Sequence, residues 1–487
     1  MGQNTPGFGE GQEKYLLKFC HKPTGTDSVS DAGNTSYASG MKNIDFKIES
    51  GNPGAIAVRY HIPQLCMLEN MHFDIGEGKG GIKDIGSLIE QCSFEGGDWA
   101  IATQRTSAGW QATLLNCQFS YQRTASILTQ QVGLTVIGCR FTDTGTGIMI
   151  TRDERLYVKD SQFERLSRAG IESKTNFTLE EQQMNLANLS FADVPFSVRL
   201  NGSSQGRLRS EIDADYEAPG PQFLVEDFSH GIHIDAQGSR TFETRMKQHV
   251  VKQLPPHVYQ DKTVYPPSDT WVNIMDRGAK ADGESDCTDV FEKAIAEHEV
   301  IYLPMGRYRI SRTLKLQPRT KLIGLHPFAT ELLLDDATPG FGDAKQPTPM
   351  VLTAAQGENT VMGIRFDLGK NPGAVGLKWR ATQNSLAGDL LFLGPWSNDD
   401  VIEHSSSLWI TEGGGGAFKN IWAPDTRALC ALRISETSTP GRVYQFSAEH
   451  HIRNEVMLDD VANWSFYSLQ TEEDRGSENA LPLAIDD

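Results

Sequence analysis

The sequence predicts an all-β protein built as two tandem right-handed parallel β-helices. Two observations carry this: a phenylalanine that returns once per turn of chain, and a passage that occurs twice. Phe73, Phe94, Phe119, Phe141 and Phe163 recur at steps of 21, 25, 22 and 22 residues. Each sits in a short alternating stretch, such as LLNCQFS or LTVIGCRFTD, that ends in Gly, Asp, Thr or Ser. Alternation of period two marks a strand with one buried face. A coil repeat of this size, with few hairpin dipeptides between strands, marks stacked coils.

The duplicated passage sets the domain plan. It runs MKNIDFKIESGNPGAIAVRYHIPQ from Met41 and VMGIRFDLGKNPGAVGLKWRATQ from Val361. Ile44 answers to Ile364 at an offset of 320, and Asn52 to Asn371 at 319. With 487 residues the chain is too long for one core and fits two. The first helix is expected over residues 1–250 and the second over 271–487. Between them, 251–270 (QLPPHVYQDKTVYPPSDT within it) reads as a proline-rich, semi-rigid linker. Residues 176–249 break the coil period and are assigned no regular coil. Copy two opens near Trp271, so the matching start of copy one would precede Met1 by about fifty residues. Copy two in turn ends early, and the chain is expected to be truncated at both ends.

Composition narrows the partners. The formal charge of −18 disfavours nucleic acid, anionic membranes and polyanionic substrates such as pectate. No apolar run reaches the length of a membrane span, and MGQNTPGFGEGQEKY lacks the regions of a signal peptide. A monomer without cofactor or metal is expected. Seven cysteines fit neither a zinc site nor a disulfide framework. Cys92, Cys117 and Cys139 each stand two residues before a ladder phenylalanine and read as small core residues.

Domain two opens with VNIMDRGAKADGESDCTDVFEKAIAEHEVIYLPMGRYRISRTLKL. Asp286 and Thr288 predict a capped helix over VFEKAIAEH, followed by the strands VIYLP and RYRIS. The acidic group Asp282, Asp286 and Asp289 could ligate calcium, but turn and capping roles account for all three. This opening resembles that of the pectate-lyase-like β-helix superfamily, a signature that marks the helix cap and leaves the chemistry open.

Chemistry is best placed near the C-terminus, in VYQFSAEHHIRNEVMLDDVANWSFYSLQTEEDRG. Glu449 and Glu472 are 23 residues apart, one coil length. That spacing can set both carboxylates on one face, one rung apart. Two close carboxylates repel and favour keeping one proton between them. A protonated carboxyl is what a glycosidic oxygen requires of a general acid. The bland alternative is a pair of solvated acidic side chains.

Tandem β-helices carrying Ser-x-Glu-His-His and then Gln-Thr-Glu one coil later resemble glycoside hydrolase family 55, the exo-acting β-1,3-glucanases. The resemblance implies an inverting hydrolase whose site lies between the helices. It implies that Glu472 is the proton donor and Glu449 its support. His61 or Gln64, in RYHIPQ, and Ser87, in DIGS, would hold the water. Trp409 and Trp422, in LWITEGGGGAFKNIWAPDTRA, could stack on sugar faces, though many such residues are core. The chain departs from the family after Gln-Thr-Glu, where Glu-Asp-Arg-Gly replaces Thr-Pro-Tyr-Tyr-Gln. The expected activity is hydrolysis of a β-1,3-glucan-like or related neutral polysaccharide, with a secreted or periplasmic parent protein. The alternatives are a polysaccharide lyase on the same fold and a non-catalytic, tailspike-like carbohydrate-binding protein.

Overall fold

The structure is a computed structural model that describes residues 2, 4–9, 11–105, 111–174, 183–200, 215–394, 404–424, 428–472 and the strand backbone of 481–486. Its contacts divide the chain into two units, Met1–Lys262 and Thr263–Asp487.

In unit one, each coil contributes three short strands. One coil is Leu88–Glu90, Ser93–Gly96 and Trp99–Ala102, and the next is Ala112–Leu115, Gln118–Ser120 and Ala125–Thr129. Coil strands pair in parallel with their counterparts one coil away, so Phe94 faces Phe119 and Phe119 faces Phe141 in register. The rings form one stack from Phe46 through Phe73, Phe94, Phe119, Phe141, Phe163 and Phe191 to Phe223. Centroid spacings run from 4.6 Å for Phe141–Phe163 to 5.4 Å for Phe46–Phe73, set by the strand spacing of about 4.8 Å. Cys92, Cys117 and Cys139 are buried free thiols beneath this stack. Burial pushes the thiols of Cys92 and Cys139 well up, so they remain neutral.

Between the first and second strands of a coil, one residue turns the chain in the left-handed conformation. Asn43, Asn70, Gln91, Asn116, Asp160 and Asn188 do this at φ between 50° and 59°. Asn and Asp tolerate that region better than other side chains. Gly138 takes the same turn at φ 62°, where a Cβ would lie 2.5 Å from Asn116 Oδ1.

Within the stretch read as irregular, Gln183–Ala192 continues the coils, pairing in parallel with Arg155–Lys159 and Gln162–Glu164, and Phe196–Leu200 pairs in parallel with Ala169–Ser173. The pattern changes at Gln222–Ile234, which pairs antiparallel with Gln183–Ala192 on one side and Arg240–Val250 on the other. The proline-rich segment does not hang free. Its first part lies along unit one, where the Asn116 amide donates to Gln260 O at 2.6 Å and accepts from Gln260 N at 2.7 Å. His257 Nε2 also meets Gly138 O at 3.1 Å. The second part belongs to unit two, with Tyr265 and Trp271 packed on Val300, Ile323 and Met362.

In unit two, the strand Asp282–Asp286 leads into the helix Thr288–Glu297. Asp286 Oδ1 accepts from Thr288 N at 2.9 Å, and its other oxygen accepts from Ser311 Oγ. Asp282 Oδ1 accepts from Glu284 N and Ser285 N, and Asp289 pairs with Arg312. All three acids are therefore engaged in turn, cap or ion-pair contacts. Later coils fuse two strands into one, as in Leu386–Leu393, Gly416–Ala423, Gly441–Glu449 and Trp464–Glu472. A left-handed residue bends each: Asp389, Asn420, Gln445 and Ser468.

The duplicated asparagines do the same work in each unit. Asn52 Oδ1 accepts from Thr5 N, and its Nδ2 donates to Gly2 O and Glu49 O. Asn371 Oδ1 accepts from Thr338 N, and its Nδ2 donates to Asp335 O and Leu368 O. Both are fully buried, and each clips a turn onto the neighbouring chain.

Two predictions concern stability. Phe119→Ala opens a gap in a closed stack and should cost about 3–5 kcal/mol in the unfolding transition of unit one. Tyr121→Ala, at a side chain 58% exposed, should leave that transition within about 0.5 kcal/mol. Equal effects in denaturant titrations would refute the ladder's role. The second concerns acid. Burial lowers His230 to about 4; burial and nearby His451 lower His404 to about 3. An unfolded histidine titrates near 6.5, so below that pH the unfolded chain binds protons that these folded sites refuse. Stability contributed by both residues is complete above about pH 6.5 and is lost as pH falls toward the folded values. Melting temperature should drop from pH 7 to 4.5, with a shallower slope in His404→Gln.

Candidate active site

Glu449 and Glu472 end the strands Gly441–Glu449 and Trp464–Glu472, which pair in parallel through eight register partners. The last of those partners is Glu449 with Glu472, so the two carboxylates stand one rung apart on one sheet. Glu449 is buried, while the Glu472 side chain is 54% exposed. Gln470 bridges them, its Nε2 lying 3.0 Å from Glu449 Oε1 and 3.4 Å from Glu472 Oε2. The next residue, His450, turns left-handed at φ 63°, and its N–H donates to Glu472 O at 2.9 Å. Its Nε2 is 3.8 Å from Glu472 Oε1. The arrangement sets one covered and one open carboxylate side by side, with an amide donor between them. Glu449, His450 and Glu472 also present donor atoms within 4.8 Å of one another, a set that a divalent cation could use.

Behind this turn lies a buried group that sequence reasoning missed. His451 Nδ1 meets Glu455 Oε2 at 2.6 Å, and Glu455 Oε1 accepts from His451 N at 2.9 Å. His404 Nε2 meets Ser407 Oγ at 3.3 Å. All four residues are buried. The His-His doublet with a glutamate four residues on was the available signal. The contact closes the turn that carries Glu449 and His450, so it positions the pair from beneath.

The structure sorts the two tryptophans. Trp422 shares an outward column with Ser447 and Gln470, the column next to the acid pair, and is 7% exposed. Trp409 belongs to the other sheet. Its ring lies between Lys378 Nζ at 4.4 Å and the Arg433 guanidinium at 4.6 Å, and its Nε1 donates to Ser435 Oγ. The rungs on either side thus supply cations to the Trp409 faces that a sugar would need.

His61, Gln64 and Ser87 lie in unit one. Ser87 Oγ donates to Pro63 O at 3.1 Å, and Gln64 is buried beside that carbonyl. His61 Nδ1 meets Asp84 Oδ2 at 3.0 Å, and Arg59 reaches the same oxygen at 2.7 Å. Arg59 also pairs with Asp31, holding that carboxyl down at about 2. Ser87 thus closes a turn, and His61 joins the Arg59–Asp84 ion pair.

Comparison with known proteins follows the same division. Residues 271–454 match the family described as rhamnogalacturonase A/epimerase, pectate lyase-like. Residues 73–191 match the right-handed β-helix region. A stretch of 53 residues is 38% identical to the pre-neck appendage protein of Bacillus phage B103. It covers 11% of this chain and 6% of that protein, so the chain matches only a small part of its curated relative. These matches reach a superfamily and do not extend to the glucanase family that the short motifs resemble. Parallel coils, inward ladders and both family matches support one assignment: a right-handed β-helix protein of the pectate-lyase-like superfamily.

Proposed function

We propose that the chain is a glycoside hydrolase acting on a neutral, β-1,3-glucan-like polysaccharide, with two β-helices in tandem. Glu472 is the general acid and Glu449 the covered carboxylate that supports it. The observation that carries this reading is the in-register pair bridged by Gln470. The open carboxyl protonates the glycosidic oxygen as the bond to the sugar breaks, and water completes the hydrolysis.

The spacing restricts the roles further. An inverting acid and base stand about 6.5–9.5 Å apart to admit water between them. Donor atoms of Glu449 and Glu472 approach within 4.8 Å, so Glu449 is not that base. On an inverting path the water is held by groups other than Glu449. A close pair also suits a retaining mechanism, in which the second carboxylate attacks the sugar. Product anomers followed by proton NMR separate the two.

One observation favours a second reading. The chain has a short likeness to a phage appendage protein, and a β-helix can serve as a scaffold without catalysis, here as a carbohydrate-binding one.

Glu472→Gln should lower reducing-sugar release from laminarin by about 10²-fold or more while leaving the melting temperature unchanged. Full activity in that variant sinks the assignment. Glycan binding by the unaltered chain without turnover selects the second reading, and an unsaturated, ultraviolet-absorbing product selects a lyase. Treatment with a chelator should leave activity intact; its loss would give Glu449, His450 and Glu472 to a cation.

A further inference from the structure

The outward face of the phenylalanine strands in unit one carries a polar trough that has no part in the acid pair. His72, Ser93, Gln118 and Arg140 are register partners on four successive rungs, each next to an inward phenylalanine. Two cavities, of about 330 and 220 Å³, share His72 and Ser93 as lining residues and follow one another along the rungs. The left-handed turn residues Asn43, Asn70 and Gln91 line one side, and Glu95 and Ser120 the other. Contacts along it run between rungs. Asn70 Nδ2 donates to Asn43 Oδ1 at 2.6 Å, and His72 Nδ1 meets Ser93 Oγ at 2.8 Å.

The same ladder shows what its amides hold. One rung further on, Asn116 takes both the N–H and the carbonyl of Gln260, an extended segment laid across the turn. The preceding rungs, from Asn43 to Ser93, carry the depression instead.

We propose that this trough binds an extended neutral glycan, one sugar per rung. The rung repeat is about 4.8 Å, close to the length that one pyranose adds to an extended chain. Amide, hydroxyl and imidazole groups offer donors and acceptors together, as vicinal sugar hydroxyls require. Charge argues against a polyuronate: Asp45 and Glu95 line the trough, and its Arg140 is paired with Glu164 at 2.9 Å. The inference shares its substrate class with the proposed hydrolase but none of its residues.

Calorimetric titration of the full chain with laminarihexaose, cellohexaose and hexagalacturonate tests it. A neutral hexasaccharide should bind, and the double variant Glu95→Ala/Gln118→Ala, at two exposed side chains, should weaken it about tenfold. Ser93→Trp, which fills the trough, should abolish binding, while Arg240→Ala on the terminal hairpin should not change it. Glu472→Gln should bind as the unaltered chain does, so loss of hydrolysis and loss of the trough are read separately. The proposal falls in any of three cases. Neither neutral hexasaccharide binds at millimolar concentration, both trough variants bind normally with unchanged melting temperature, or hexagalacturonate binds more tightly.

Discussion

Parallel pairing of each strand with its counterpart one coil away is the constraint on which this molecule depends. A parallel ladder fixes neighbours about 4.8 Å apart and leaves no freedom in register, because a slip of one residue would turn every inward group outward. Many inward positions then meet their own kind on the rungs above and below. Phenylalanine stacks on phenylalanine from Phe46 to Phe223, thiol follows thiol at Cys92, Cys117 and Cys139, and a left-handed residue follows a left-handed residue at the turns. Such columns sum near-identical contacts, so stability is spread along the axis and not concentrated in one core. The same rule acts on the outer surface. It stacks Glu449 against Glu472, a pairing that repulsion would otherwise oppose, and the Gln470 amide offsets part of that cost.

Repetition decided what was legible from sequence. The phenylalanine period predicted the coils because every turn reports the same packing demand. The helix at Thr288–Glu297 was legible because its start signal is local: Asp286 accepts from Thr288 N two residues on, although the N-cap position itself falls to Cys287, whose side chain makes no cap bond. Features that occur once were not legible. The antiparallel strands to Val250 close an end, and an end has no period. The seat of Gln260 on Asn116 joins residues 144 positions apart, and proline content alone read as a spacer. In the candidate site, one coil of separation was enough to place Glu449 beside Glu472. The support beside them was hidden because a sequence does not show which histidines are buried: His404 starts a strand and His451 sits in the turn after Glu449, and both are covered. Trp409 shows the reverse error. Its tryptophan-rich setting suggests sugar stacking, yet Lys378 and Arg433 flank its ring on adjacent rungs.

The two copies of the duplicated passage separate scaffold from function. Asn52 and Asn371 make the same three kinds of hydrogen bond in both units, and both are fully covered. An inward residue at such a position answers to packing and has no access to a ligand. The outward columns obey no such demand and have diverged. In unit one, the column beside the phenylalanine stack is His, Ser, Gln, Arg, neutral for most of its length and lined by amides. In unit two, the strand that ends at Glu449 presents Ser447 and then a carboxylate, and the following rung repeats the pattern with Gln470 and Glu472.

Hydrogen-bond donors in a row suit retention of a chain, whereas two carboxylates of unequal exposure suit proton transfer. Retention over several rungs gathers many weak contacts, each small against the cost of ordering a flexible glycan. Proton transfer needs one carboxyl held still, and the buried His451–Glu455 contact holds the turn beside it. In this fold one device underlies both arrangements. Its inner ladders fix the rung spacing, and its outer columns convert that spacing into either a rail or an acid pair. Which of these a β-helix displays depends on the side chains that its core leaves unconstrained, so the superfamily assignment by itself cannot select between them.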